Sequence, residues 1–339
     1  MAALFQGGGA TAGGQDRFGF DFARSSLDSQ YDMSIYLLIG LLVLLIVLYP
    51  FQGWITWLVH QRRREGKFAI TTPRHRPQPA SWRDDQVTIC WLGHATLLIN
   101  FYGKHVLTDP VFGESVGIHL PGRLSFGPRR LVRCALAPGD LPALDLVVQS
   151  HAHMDHLDVR SWKQLRQRPA VVMATDNARY IRGLGFRRVT ELQWGDTTEV
   201  ADVRVTAVEV KHWGQRLPWG RSAGYNAYLL ERNGRAILFG GDTAYTDSFR
   251  RLCADRRIDV AILPIGGYAP YIRVHASPEQ TWQMFCDMGA SFLIPIHHQT
   301  FILSFEPPDE PLRRLLTAAG SRADKIALRE IGETFVLPH

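Results

Sequence analysis

The stretch Leu144-Asp145-Leu146-Val147-Val148-Gln149-Ser150-His151-Ala152-His153-Met154-Asp155-His156-Leu157-Asp158 decides how this 339-residue chain is read. Its first six residues, Leu144–Gln149, are a short apolar run of the kind that fills a buried strand. Four metal-ligating side chains follow at His151, His153, Asp155 and His156. In extended chain His151 and His153 share a side, while Asp155 and His156 lie past the turn and can face a second centre. Ligands just beyond a strand end sit where an open α/β sheet places its chemistry.

Outward from this loop, further donors fall at the ends of other expected strands. His212 ends the alternating stretch Val203–Lys211, and His297 closes Phe292–Ile296. Asp242 lies in Phe239-Gly240-Gly241-Asp242-Thr243, after a hairpin marked by Asn233-Gly234 between Ala227–Glu231 and Arg235–Phe239. Singly, such a His or Gly-Gly-Asp turn is commonly structural; after H-x-H-x-D-H, together they read as a metal site. Nitrogen and oxygen donors suit zinc, with iron or manganese also admitted. Cys90, Cys134, Cys253 and Cys286 form no C-x-x-C pair, which excludes a zinc ribbon or dithiol redox site and leaves reduced thiols.

The remaining pattern alternates strands with helices. Val87–Leu92, Thr96–Phe101, Lys104–Thr108, Ala170–Ala174, Ile258–Leu263 and Glu333–Leu337 read as strands; Arg160–Gln167, Pro278–Met288 and Pro311–Ala319 read as helices. No repeat or internal linker divides them, so residues 82–339 are expected to form one α/β domain with two sheets and outer helices.

These residues carry a family resemblance. The order H-x-H-x-D-H, His212, Asp242, His297 resembles the metallo-β-lactamase fold, an αββα sandwich with a dinuclear metal site. Trp91-Leu92-Gly93-His94-Ala95-Thr96, Thr108-Asp109-Pro110-Val111-Phe112, Gly241-Asp242-Thr243 and Pro264-Ile265-Gly266-Gly267-Tyr268 resemble the phospholipases D that hydrolyse N-acylphosphatidylethanolamine, as does His297 with Thr300-Phe301. The resemblance implies that His151, His153 and His212 hold one zinc, that Asp155, His156 and His297 hold the other, and that Asp242 bridges them. It places His275 near the scissile group, with Met154 and Tyr268 at the substrate. Asp109 and His94 are expected behind the ligands, supporting them rather than touching metal. Met154 and His298-Gln299 depart from the animal enzymes, which have an aromatic residue and Trp-Gly there.

The charge distribution adds a location. The chain has 38 Lys plus Arg against 32 Asp plus Glu, a net +6, yet no charged residue lies between Met33 and Val59. As a helix, the 25 residues Ile35–Val59 would span roughly 37 Å, more than the hydrocarbon core of a bilayer. Tyr36, Tyr49, Trp54 and Trp57 are placed as interfacial aromatics. Arg62, Arg63, Arg64, Lys67, Arg74 and Arg76 follow, so the positive-inside rule puts residues 60–339 in the cytoplasm. The expected organisation is a flexible tail at 1–32, a single transmembrane helix at 33–59, a basic and Pro-rich linker at 60–81, and the catalytic domain.

Together these readings predict a membrane-anchored dizinc phosphodiesterase acting on phospholipid, with Asp155, Asp242 and His275 carrying the chemistry. Two divalent cations against the carboxylates of Asp155 and Asp242 leave the centre positive, which favours an anionic diester over a neutral ester. His275 is expected to steady or protonate the leaving alcohol. The segment Phe112–Ala137 reads as a lid whose Arg123, Arg129, Arg130 and Arg133 meet lipid phosphates. A lactonase or other esterase of a soluble anionic substrate is the enzymatic alternative, but it gives the apolar run no role. No appended basic arm supports nucleic acid as a partner, and a homodimer agrees with the family resemblance.

Overall fold

The structure is a computed structural model that describes residues 33–44, 63–66, 68–119, 125–217, 219–253 and 256–338. The chain divides into two units, Met1–Trp57 and Leu58–His339. In the first, residues 33–44 form a helix whose side chains are all exposed. Among the described residues, no helix is long and apolar enough to cross a membrane. The rest of the expected span, at 45–59, and the tail at 1–32 lie outside the described residues.

The second unit is built on two mixed sheets. The first carries β1 (Val87–Gly93), β2 (Thr96–Phe101), β3 (Lys104–Thr108), β6 (Leu146–Gln149), β7 (Ala170–Ala174), β8 (Val189–Leu192) and β15 (Thr334–Val336), in the order β15-β1-β2-β3-β6-β7-β8. The second carries β9 (Thr197–Val200), β10 (Val203–Val208), β11 (Ala227–Arg232), β12 (Arg235–Phe239), β13 (Val260–Pro264) and β14 (Phe292–Ile296), in the order β14-β13-β12-β11-β10-β9. A small pair, β4 (Ile118–His119) and β5 (Ser125–Phe126), stands apart.

Each sheet begins with antiparallel hairpins and ends in parallel strands: β3 pairs parallel with β6, β6 with β7, β12 with β13 and β13 with β14. The parallel strands are buried on both faces, which is why Leu144–Gln149 and Ile258–Leu263 read as continuous apolar runs. Between the sheets lies one core that includes Trp91, Val106, Val148, Val205, Tyr228 and Ile262. The outer face of the second sheet is covered by α3 (Pro278–Met288) and α4 (Glu310–Ala319) through Trp282, Phe285 and Leu315. On the first sheet, Trp162 of α1 (Val159–Gln164) packs with Cys90, Leu107 and Val171. A short α2 (Ser248–Leu252) adds Phe249 to the second outer layer. This is the expected four-layer αββα sandwich.

Two expectations about segments change. The described part of the 60–81 linker does not stand off as a spacer: the Thr71 N–H donates to the Leu131 carbonyl (2.9 Å), and the Arg133 N–H donates to that of Thr71 (2.9 Å). The lid reading of 112–137 fails at Arg130, which is buried with its guanidinium on the carbonyls of Val111 (2.6 Å) and Gly113 (2.9 Å) and over the Phe301 ring. Arg133 pairs instead with Glu114 at 2.8 Å, while Arg123 lies outside the described residues. Buried guanidinium donors take carbonyls when no water is available, so Arg130 is turned into the protein and away from any lipid surface, while Arg129 and Arg133 stay exposed.

Candidate metal centre

The loop after β6 leaves the sheet at Ser150 and is closed by Asp158, which caps α1 by accepting from the N–H groups of Arg160 (3.3 Å) and Ser161 (3.1 Å). The last acidic residue of the motif is therefore a helix cap. Asp242 enters from the end of β12 across Gly241, whose φ is +56°, and a Cβ there would lie 2.7 Å from Ser150 Cβ. Only glycine lets the two loops touch. His297 follows β14 directly with φ 62°, and His94 and Asp109 also have positive φ, so backbone strain gathers around the site.

Two groups of donors result. His151, His153, His212 and Asp242 present ligand atoms within 4.8 Å of one another; so do His94, Asp155, His156 and His297. The groups meet at Asp242, whose Oδ2 lies 3.1 Å from His156 Nε2, 3.2 Å from His297 Nε2 and 3.8 Å from His212 Nε2. His153 Nδ1 faces both His151 Nε2 (2.9 Å) and His212 Nε2 (3.1 Å).

The residues fit a pair of cations. Several imidazole nitrogens and carboxylate oxygens converge at the spacing that ligands of one ion take, and Asp242 Oδ1 and His153 Nε2 are buried without a hydrogen-bond partner. Burial pushes His151 and His212 well below the usual imidazole range and His153 down to about 4, so these three stay neutral, as ligation requires. Across the site burial acts in the same direction, but Asp242 and Asp155 outweigh it, holding His156 well above that range and His297 up at about 9. Burial would also raise Asp155 and Asp242, yet the facing histidines keep both well below the carboxylate range. On that side the two carboxylates favour the charged form of His156 and His297.

Asp109 sits behind this set, against His156. It is fully buried and accepts from His156 Nδ1 (2.7 Å), the Ser150 N–H (2.7 Å), Gln149 Nε2 (3.0 Å) and the Ser150 hydroxyl. His94 places its Nε2 3.0 Å from Asp155 Oδ2, a contact that can hold that carboxylate in place, and it also falls within the second donor group. His275, just before the Ser277 cap of α3, places Nδ1 3.8 Å from Asp242 Oδ2, and burial brings its pKa down to about 4.

Above the donors lies a cleft of about 420 Å³ lined by Met154, Trp213, Arg216, Tyr271, His275 and Leu303, among others. Met154 and His275 both line it. Tyr268 is not: its hydroxyl bonds Glu310 at 2.7 Å beneath the Arg314 guanidinium, and Tyr271 from the same loop reaches the cleft instead. His298 stacks on Trp91 with ring centroids 4.6 Å apart. Nothing in the sequence singles out Arg216 or Leu303, and for Trp213 the signal is its adjacency to His212.

Residues 104–298 match the family model described as a beta-lactamase superfamily domain. An uncharacterized protein of Mycobacterium tuberculosis is 31% identical over 274 residues, covering 78% of this chain and 73% of that protein. The mitochondrial N-acyl-phosphatidylethanolamine-hydrolyzing phospholipase D of Saccharomyces cerevisiae is 30% identical over 261 residues, or 72% of this chain and 54% of that protein. Among solved structures, the isothiocyanate hydrolase from Delia radicum gut bacteria matches with a TM-score of 0.60 at 18% identity, covering 73% of this chain and 98% of that one. Fold, donor set and relatives agree: the chain belongs to the metallo-β-lactamase superfamily and is a metal-dependent hydrolase with a binuclear His/Asp centre.

Proposed function

We propose that the protein is a membrane-anchored dizinc phosphodiesterase of phospholipase D type, converting N-acylphosphatidylethanolamine or a related phospholipid to phosphatidic acid and the headgroup alcohol. The observation that carries this reading is the cleft. Its floor is two donor groups sharing Asp242, and its wall combines Arg216 with the apolar Met154, Trp213 and Leu303. An anionic diester on an apolar body matches both features. The resemblance in sequence to the yeast phospholipase D supports the same substrate class.

In this reading His151, His153 and His212 would hold one ion and Asp155, His156 and His297 the other, with Asp242 within reach of both groups. When bound, two divalent cations supply Lewis acidity, activating water near neutral pH and drawing charge from a phosphoryl oxygen. The chain's own residues do the rest. Arg216, tied to the carbonyls of Ala152 (2.6 Å) and Leu157 (2.7 Å), fixes the ligand loop and keeps a permanent positive charge on the wall. His275, neutral before reaction, stands beside the shared carboxylate, where its free ring nitrogen can take the proton that the attacking water gives up and hand it to the leaving alcohol. The uncharged run at 33–59 and the basic residues after it support a single-pass anchor with the catalytic domain on the cytoplasmic side.

The test is incubation of the metal-loaded protein with mixed phospholipids that include N-acylphosphatidylethanolamine, with product analysis by mass spectrometry. Phosphatidic acid with an N-acylated ethanolamine is expected. Diacylglycerol, or turnover of a soluble lactone alone, would overturn the reading.

A further inference from the structure

The basic run after the uncharged segment reads in sequence as a flank facing lipid, yet one of its members is committed to the protein. The Arg64 guanidinium donates to the carbonyls of three consecutive residues: Ser304, Phe305 (3.3 Å) and Glu306 (3.0 Å). Its neighbour Glu65 is buried and accepts from the Arg129 N–H at 2.9 Å. The 304–306 turn held by Arg64 in turn holds the loop beside the metal centre. Glu306 is buried and accepts from the N–H groups of Gly267 (2.6 Å) and Ala269 (3.1 Å), while the Phe305 N–H donates to the Ala269 carbonyl (2.8 Å).

That second loop sets the site's walls. Gly267 and Tyr271 line the cleft, as does Leu303 just before the clamped turn. A Cβ on Gly267 would lie 3.1 Å from His275 Nδ1 and 3.2 Å from His297 Cε1, so this backbone fixes how close the two imidazoles sit. Arg64, Glu306, Gly267 and His275 therefore form a continuous series of contacts from residue 64 to the reacting centre.

We propose that Arg64 and Glu306 are positioning residues that couple the stretch following the apolar run to the loop carrying Gly267 and Tyr271, and so set the geometry of His275. Arg64 lies five positions after Val59, where the apolar run ends. Arginine is suited to this because its planar fork offers several donors at fixed angles, whereas lysine offers a single point charge. The role rests on the cleft being the catalytic centre; the latch itself is a statement about hydrogen bonds that can be read without any substrate.

The test uses the full chain loaded with zinc, as wild type, Arg64→Ala, Arg64→Lys and Glu306→Gln. Amide hydrogen exchange by mass spectrometry should show residues 267–269 and 305 exchanging about tenfold faster or more in Arg64→Ala, with β7 and β13 unchanged and zinc content unchanged. Arg64→Lys should fall between. Turnover of bis(p-nitrophenyl) phosphate should lose kcat more than it gains KM. Exchange at 267–269 within twofold of wild type in Arg64→Ala and Glu306→Gln would overturn the proposal, as would acceleration spread evenly over the sheets. If wild type fails to cleave the diester, the substrate class falls while the exchange result still decides the latch.

Discussion

Replacing Asp109 by Asn changes one atom in a fully buried site and tests how the ligands are held. The two carboxylate oxygens receive four donors: Gln149 Nε2 at 3.0 Å and the Ser150 N–H at 2.7 Å on one, His156 Nδ1 at 2.7 Å and the Ser150 hydroxyl on the other. If the Asn amide nitrogen faces His156, it must donate, so Nδ1 has to give up its proton and Nε2 acquires it. Nε2 is the atom aimed at Asp242 and the second donor group, and in that tautomer it is no longer a ligand. If the amide nitrogen faces the other way, the Ser150 and Gln149 donors are left unpaired in a buried place. Either orientation forfeits charge-assisted bonds worth about 1.5–3 kcal/mol, or roughly 10–100-fold in affinity at 1.4 kcal/mol per tenfold. The same range is seen when partners behind a ligand are removed elsewhere. Competition of the Asp109→Asn variant against a chromophoric zinc chelator should therefore show one ion weakened by that factor and the other nearly unchanged. Two ions retained with both affinities within twofold of wild type would refute the argument, because His156 would then not depend on Asp109.

Other outcomes follow from the same geometry. His275→Ala should retain both ions, measured by plasma emission, and lose about 10²–10⁴ in kcat; loss of metal would instead make His275 a ligand. Gly266→Ala would set a Cβ 2.1 Å from the His297 carbonyl oxygen, where backbone must move, so it should destabilise the domain by about 1–3 kcal/mol in urea unfolding and weaken metal retention. At pH 7 the metal-free protein carries protons on His156, held well above the imidazole range, and on His297, up at about 9. Both must leave on ligation, so calorimetry in buffers of different ionisation heat should report about two protons released, and affinity should fall as pH drops. No proton release at pH 7 would contradict that assignment.

How much is legible in the sequence depends on whether the signal is local. Thr96–Phe101, Lys104–Thr108, Ala170–Ala174, Phe292–Ile296 and Pro278–Met288 have the bounds expected from pattern and turn chemistry alone. Val203–Lys211 shortens to Val203–Val208, because beyond that point the chain leaves its partner β11 to carry His212 into the site. The strands β8 and β9 carry no such signal: their residues are mostly exposed or half-buried, and pairing with β7 and β10 rather than composition makes them strands. Arg130 misleads for a related reason, since its charge is obvious in sequence while the carbonyls that absorb it come from Val111 and Gly113.

By itself the sequence marked the strand-end donors His151, His153, Asp155, His156, His212, Asp242 and His297 and, through its family resemblance, the two-sheet sandwich that carries them. Each donor follows a strand with a recognisable pattern, and a strand end can place a ligand in only a few ways. The tertiary structure alone decided which supporting residues reach the centre. Tyr268 turns away to Glu310, Tyr271 and Arg216 come to line the cleft, and Arg64 is drawn from a basic run to clamp residues 304–306. Those positions depend on where loops distant in sequence meet and which buried carbonyls and carboxylates lack partners. That is a property of the packed chain, with no counterpart in local pattern.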